Sequence, residues 1–157
     1  MLSSEVLAQQ RRFGVTFDSG SGISMASGQE DVVTRRTPIF LDAGVRTFVD
    51  TRPELAYAGA LRVEVDGRAS VGVVARVEYS VPLTRSLTFR PQGGLNLFLA
   101  PFSMFGPELG FALRLALDPK AALVARGLID GYLWGSDVPD DTAVVMINGT
   151  LGLELLL

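Results

Sequence analysis

Acid–base and nucleophilic chemistry in proteins draws most often on histidine, cysteine or an activated carboxylate. This chain has no histidine and no cysteine. What it has is arginine and carboxylate at a fixed spacing. Between Thr37 and Gly135 there are nineteen charged side chains, and eighteen of them stand at even positions, Arg85 being the exception. A planar guanidinium grips a carboxylate through two parallel hydrogen bonds, so the chemistry open to this set is ion pairing in a confined space. The candidates are Asp42, Arg46, Arg62, Glu64, Arg76, Glu78, Arg90, Glu108, Arg114, Arg126 and Asp130, joined by Glu154 near the end. Three-residue turns at Leu83-Thr84-Arg85 and Thr51-Arg52-Pro53 would set Glu78 opposite Arg90 and Asp42 opposite Arg62, and both are predicted ion pairs. These charges would satisfy one another and fill an interior; the alternative is that they line a narrow polar path or gate.

A spacing of two is the strand period, since successive side chains point to opposite faces. Eight strands follow: Arg12–Asp18, Pro38–Asp50, Leu55–Asp66, Ala69–Pro82, Ser86–Ala100, Phe105–Asp118, Ala122–Trp134 and Thr142–Leu157. Their apolar stripes are odd-numbered, as in Val71, Val73, Ala75, Val77, Tyr79 and Val81. Ser19 to Arg36 is rich in Gly and Ser and reads as a mobile loop. Short turns between eight strands make an antiparallel up-and-down meander, and closing it into a barrel removes both edges. The expected organisation is an N-terminal tail over 1–11 and one all-β barrel domain over 12–157.

Composition narrows the class. The net charge of −3 argues against a nucleic-acid partner. No stretch of about 18 apolar residues offers a transmembrane helix, and Met1 to Gln10 does not read as a secretory signal. No phosphate-binding loop, catalytic residue, metal site or cofactor is expected. Asp137, Asp140 and Asp141 read as a solvated acidic loop with at most weak Ca²⁺ attraction.

Alternation permits two barrels: a soluble one with apolar residues inside, or a membrane one with apolar residues outside and a polar lumen. Four features favour the membrane form. The charged face is also rich in small residues, such as Gly44, Ala58, Gly72, Gly94, Gly110, Ala112 and Gly152, as a cramped interior requires. Its charges are nearly balanced, and Lys120 is the only lysine. The apolar stripes suit the ~9–11 residues of a tilted membrane strand. The chain also ends on the stripe Leu151, Leu153, Leu155 and Leu157. The seventh strand has a thin apolar face of Leu123, Ala125, Gly127, Ile129, Gly131 and Leu133. Tyr132 and Trp134 fall on its even side, so either the rings fill the lumen or a bulge near Gly131 swaps the faces.

In strand count, parity and turn pattern, Arg12 to Leu157 resembles the small eight-stranded outer-membrane barrels of the OmpA/OmpX type. The resemblance implies a bacterial outer membrane, periplasmic termini, and periplasmic turns near Arg52, Thr84 and Pro119. Outer loops would be Ser19–Arg36, the Gly67 turn, Pro101–Met104 and Gly135–Asp141. Tyr79 and Phe89 would lie at the periplasmic interface and Phe105 at the outer one. Such barrels usually end on an aromatic residue, where this chain has Leu157, and no functional residue of the family carries over. The expectation is a non-enzymatic membrane scaffold or anchor, in contact with lipid and with other envelope proteins through its wall or loops. A narrow small-solute channel and a soluble lipocalin-like binder of an apolar ligand are the alternatives.

Overall fold

The computed structural model describes residues 13–27, 32–67, 69–138 and 142–157. The tail expected over 1–11, with Arg12, Arg68 and residues 139–141 of the acidic loop, lies outside the described residues. Eleven strands follow in chain order: β1 (Phe13–Ser27), β2 (Val32–Arg36), β3 (Phe40–Val49), β4 (Arg52–Glu64), β5 (Ser70–Tyr79), β6 (Val81–Pro82), β7 (Leu87–Ala100), β8 (Met104–Ala116), β9 (Ala121–Tyr132), β10 (Trp134–Gly135) and β11 (Ala143–Leu156). Eight of these form the wall. β1 pairs with β3, neighbours then pair in sequence through β4, β5, β7, β8, β9 and β11, and β11 pairs back to β1. The short strands β2, β6 and β10 prolong the walls, pairing with β1, β7 and β8.

The pairings fix the size of the barrel. Following facing residues around the wall from Gly14 leads through Arg46, Ala58, Arg76, Gly94, Glu108, Asp130 and Met146 to Ser24. The circuit returns to its starting strand ten residues farther along. Eight strands with that stagger tilt by about 40° and enclose a backbone radius of about 8 Å. Every residue on the circuit is even. Facing residues share a face, so the parity seen in the sequence survives all the way around.

The apolar face points outward. Leu41, Val45, Leu61, Val73, Leu95, Leu109, Ile129, Leu151 and Leu153 are exposed, while Asp42, Arg46, Arg62, Arg76, Glu78, Glu108, Asp130 and Glu154 are buried. A soluble carrier would need the reverse, so the lipocalin-like expectation is set aside. Tyr79 and Phe89 project at the end that carries the termini, and Phe105 at the other, where its ring stacks on Trp134 with centroids 6.0 Å apart.

Three local expectations change. Ser19 to Ser27 continues β1 and Val32–Arg36 forms β2, in place of a mobile loop. Gly20 and Gly22 are required by crowding: a Cβ on Gly20 would lie 2.7 Å from the Phe40 ring, and one on Gly22 would lie 1.9 Å from the Ile147 carbonyl oxygen. Second, Pro82 faces Thr88, not Ser86, because the turn is two residues longer than expected. The Thr84 hydroxyl holds it, accepting the amides of Ser86 and Leu87 at 3.3 and 3.0 Å. Third, both readings of the seventh strand's end are partly realised. Tyr132 fills the lumen, and a one-residue irregularity at Leu133 turns Trp134 outward, opposite Phe105. The thin face of that strand is partly covered by its neighbour: the Phe111 ring lies where a Cβ on Gly127 would be, 3.1 Å from it.

Lumen crowding is testable at Gly94. A Cβ there would lie 2.0 Å from the Ala75 carbonyl oxygen, which the ladder holds in place. Gly94→Ala is expected to destabilise by the upper end of about 1–3 kcal/mol, read from urea unfolding in lipid vesicles. Gly149, with open space around its Cβ position, should accept Ala at no measurable cost.

Candidate functional site

An even-numbered side chain on any wall strand points at the barrel axis. At a radius of about 8 Å an extended arginine reaches the axis, so its partner need not lie on the next strand. Most of the observed pairs are therefore cross-braces.

Nearest the termini, Arg46 Nε donates to Glu78 Oε2 at 2.7 Å and its Nη2 to Ser80 Oγ at 3.2 Å. Arg90 grips Glu154 with two hydrogen bonds from three wall positions away, and Arg114 Nε donates to Glu154 Oε1 at 2.7 Å. The Arg46 guanidinium carbon also sits over the Phe48 ring, 4.2 Å from its centroid. Three guanidiniums here share two carboxylates.

Farther in, a second cluster has the opposite balance. Arg62 forks onto Asp42 from the adjacent strand with two bonds of 2.9 Å. It also lies 3.7 Å from Glu108 and 3.7 Å from Asp130 on the far wall. Arg76 forks onto Glu108 and reaches Asp42 at 3.4 Å. Asn96 and Asn148 donate to the two oxygens of Asp130 at 3.3 and 2.8 Å. Three carboxylates here share two guanidiniums. Arg126 pairs with Asp18, and Glu64 accepts from the Ser70 hydroxyl.

Asp42 and Arg62 thus face one another directly. Glu78 and Arg90 do not: Glu78 faces Gln92, a consequence of the longer turn. The two charges approach only to 3.9 Å across the lumen, each with a closer partner elsewhere. Asp18 was not among the expected residues, although its even position on the first strand could have flagged it. Asn96 and Asn148 escaped a pattern built on charge alone.

Beyond the second cluster the lumen closes on Phe98, Phe102, Met104 and Tyr132, backed by Val138, Val144 and Met146. Phe98 stands 5.8 Å from both Phe102 and Tyr132, ring to ring. Val74, Val124 and Leu128 are buried in the lumen among the charges. Arg46, Glu108, Asp130 and Glu154 have no solvent exposure at all. Chemically this is a set of buried ionic struts, fastened to walls one to four strands apart.

No protein-family model matches the sequence. No curated protein matches it either. Solved structures do. The crystal structure of Neisserial surface protein A superposes with a TM-score of 0.63 at 12% identity, over 92% of this chain and 97% of that one. The N-terminal β-barrel domain of Pseudomonas aeruginosa OprF gives 0.59 at 12% identity, over 94% and 100%. Ail, the attachment invasion locus protein of Yersinia pestis, gives 0.56 at 10% identity, over 94% and 99%. At such identity the likeness is one of fold, and the chain has the closed eight-stranded antiparallel architecture of these outer-membrane barrels.

Proposed function

We propose that this chain is a non-enzymatic integral barrel of the bacterial outer membrane, serving as a scaffold or anchor, alone or as a subunit of a larger envelope assembly. The observation that carries this reading is the closed lumen beneath an apolar exterior. A transmembrane β-barrel needs a lipid-facing apolar band about 25 Å tall. At a tilt of about 40° each residue climbs about 2.5 Å, so the stripe on one strand supplies most of that height. Inside, the charges bind one another and the aromatic cluster caps one end. A channel would need those same charges to face water.

The scaffold reading leaves the wall and the turns as contact surfaces. Across β11, β1, β3 and β4 the wall carries an apolar groove of about 540 Å³, lined by Phe17, Leu41, Ala43, Leu61, Leu151 and Leu153. An envelope partner would meet the barrel there or at the periplasmic turns.

Planar-bilayer recording on the purified protein tests the reading. The expected result is no stable conductance steps. Steps that persist, and that change when lumen residues such as Asn96 are enlarged, would replace the scaffold with a channel.

A further inference from the structure

We infer that the mouth of the lumen nearest the termini binds a small oxyanion, a carboxylate or a phosphate, among Arg46, Arg90 and Arg114. The first observation is the charge balance. Among the described residues, the ion pairs of Arg46, Arg90 and Arg114 run to Glu78 and Glu154, so three guanidiniums are matched by two carboxylates and the paired set has one positive group in excess. Its counterpart deeper in the lumen has the opposite excess. No ion pair joins the two among the described residues. A charge at membrane depth without a counter-ion is costly, so a positive excess draws an anion.

The second observation is independent of the count. Arg46 Nη1 and Arg90 Nε are both buried and neither has a hydrogen-bond partner. Arg46 Nη1 comes no nearer than 4.0 Å to Glu154. A buried N–H on a charged group is rarely left unpaired. Arg114 completes the picture at the opening: its Nε holds Glu154, its Nη groups make no hydrogen bond seen among the described residues, and its side chain keeps 12% exposure. An anion arriving from the periplasmic side meets Arg114, which keeps some exposure, while the aromatic cluster closes the other end. Guanidinium edges select planar or tetrahedral oxyanions over halide, because two parallel N–H groups match two oxygens. The single excess charge fits a monoanion. The site does not depend on whether the barrel is a scaffold, since conduction would require passage through the capped end as well.

The test uses the full-length protein in neutral detergent at constant ionic strength, titrated separately with inorganic phosphate and with acetate against chloride. Binding to the folded state alone raises the unfolding midpoint in a saturable way. The expected result is saturation by one or both oxyanions, with at least a tenfold loss of affinity in Arg114→Gln. Acetate equal to phosphate identifies a carboxylate-sized site, and phosphate alone identifies a phosphate site. Should Arg114→Gln fail to fold, Arg114→Lys keeps the charge, removes the fork, and should weaken binding. Broadening of the phosphate ³¹P resonance by the wild-type protein gives a reading that needs no variant. A midpoint that rises linearly without saturating, or equally in chloride, overturns the inference, as does a titration indifferent to position 114.

Discussion

Arg62→Met is expected to destabilise the barrel by ~3–5 kcal/mol, the cost of stranding buried charge. Arg62 is 1% exposed and holds Asp42 with two hydrogen bonds while lying within 3.7 Å of Glu108 and Asp130. Methionine fills much of the same space with no charge, so the loss isolates electrostatics from packing. Three carboxylates would be left with Arg76 alone. Urea unfolding in lipid vesicles measures the change. The double variant Arg62→Met with Asp42→Asn should recover part of the loss, because the stranded partner is then neutral; a double-mutant cycle gives the coupling directly. A single variant that unfolds like the wild type would mean that water reaches this layer, and the lumen would not be the sealed interior described above.

The second large effect belongs to the opposite face. Leu109 is 64% exposed and faces Gly93 and Ile129 across the ladder. Leu109→Arg should cost ~2–4 kcal/mol in vesicles, the value for an arginine near the bilayer midplane. Leu117 is also exposed but lies past the end of β8, near the turn. There arginine can reach headgroups, and Leu117→Arg should cost about 0–1 kcal/mol. The difference between the two sites is the informative quantity. Equal costs would mean that the belt of leucine and valine does not sit in hydrocarbon. In a water-soluble barrel neither change would matter.

The face assignment was legible because it depends on one integer. Strands read in the sequence from Asp42 to Asp130 keep their charges on even positions, and every step of the circuit through Arg46, Arg76, Glu108 and Asp130 joins even to even. Turn errors of two residues leave that integer untouched. This is why the misjudged turn at Thr84 shifted Glu78 onto Gln92 without reversing any face. The partners were less legible. Hairpin arithmetic reaches only adjacent strands, as in Asp42 and Arg62. Arg90 with Glu154 and Arg62 with Asp130 depend on the stagger and radius of the closed barrel, and no local segment encodes either. The Ser19 to Arg36 stretch misled for another reason: Gly20 and Gly22 mark close contact with Phe40 and the backbone of β11, whereas composition alone reads glycine as flexibility. Trp134 depended on a single extra residue, which a period cannot foretell.

The longest continuous ladder in the molecule joins β1 to β11, fourteen facing pairs from Gly14 with Leu156 to Ser27 with Ala143. These are the elements farthest apart in the chain. Until residues 143–156 arrive, β1 has one edge whose amides and carbonyls find no partner, and hydrocarbon offers them none. A partly built sheet therefore cannot rest at membrane depth and wait for its last member. Insertion and ring closure must be nearly simultaneous, and any delay in supplying the final strand holds back the whole cylinder, since long-range pairing sets the pace of folding.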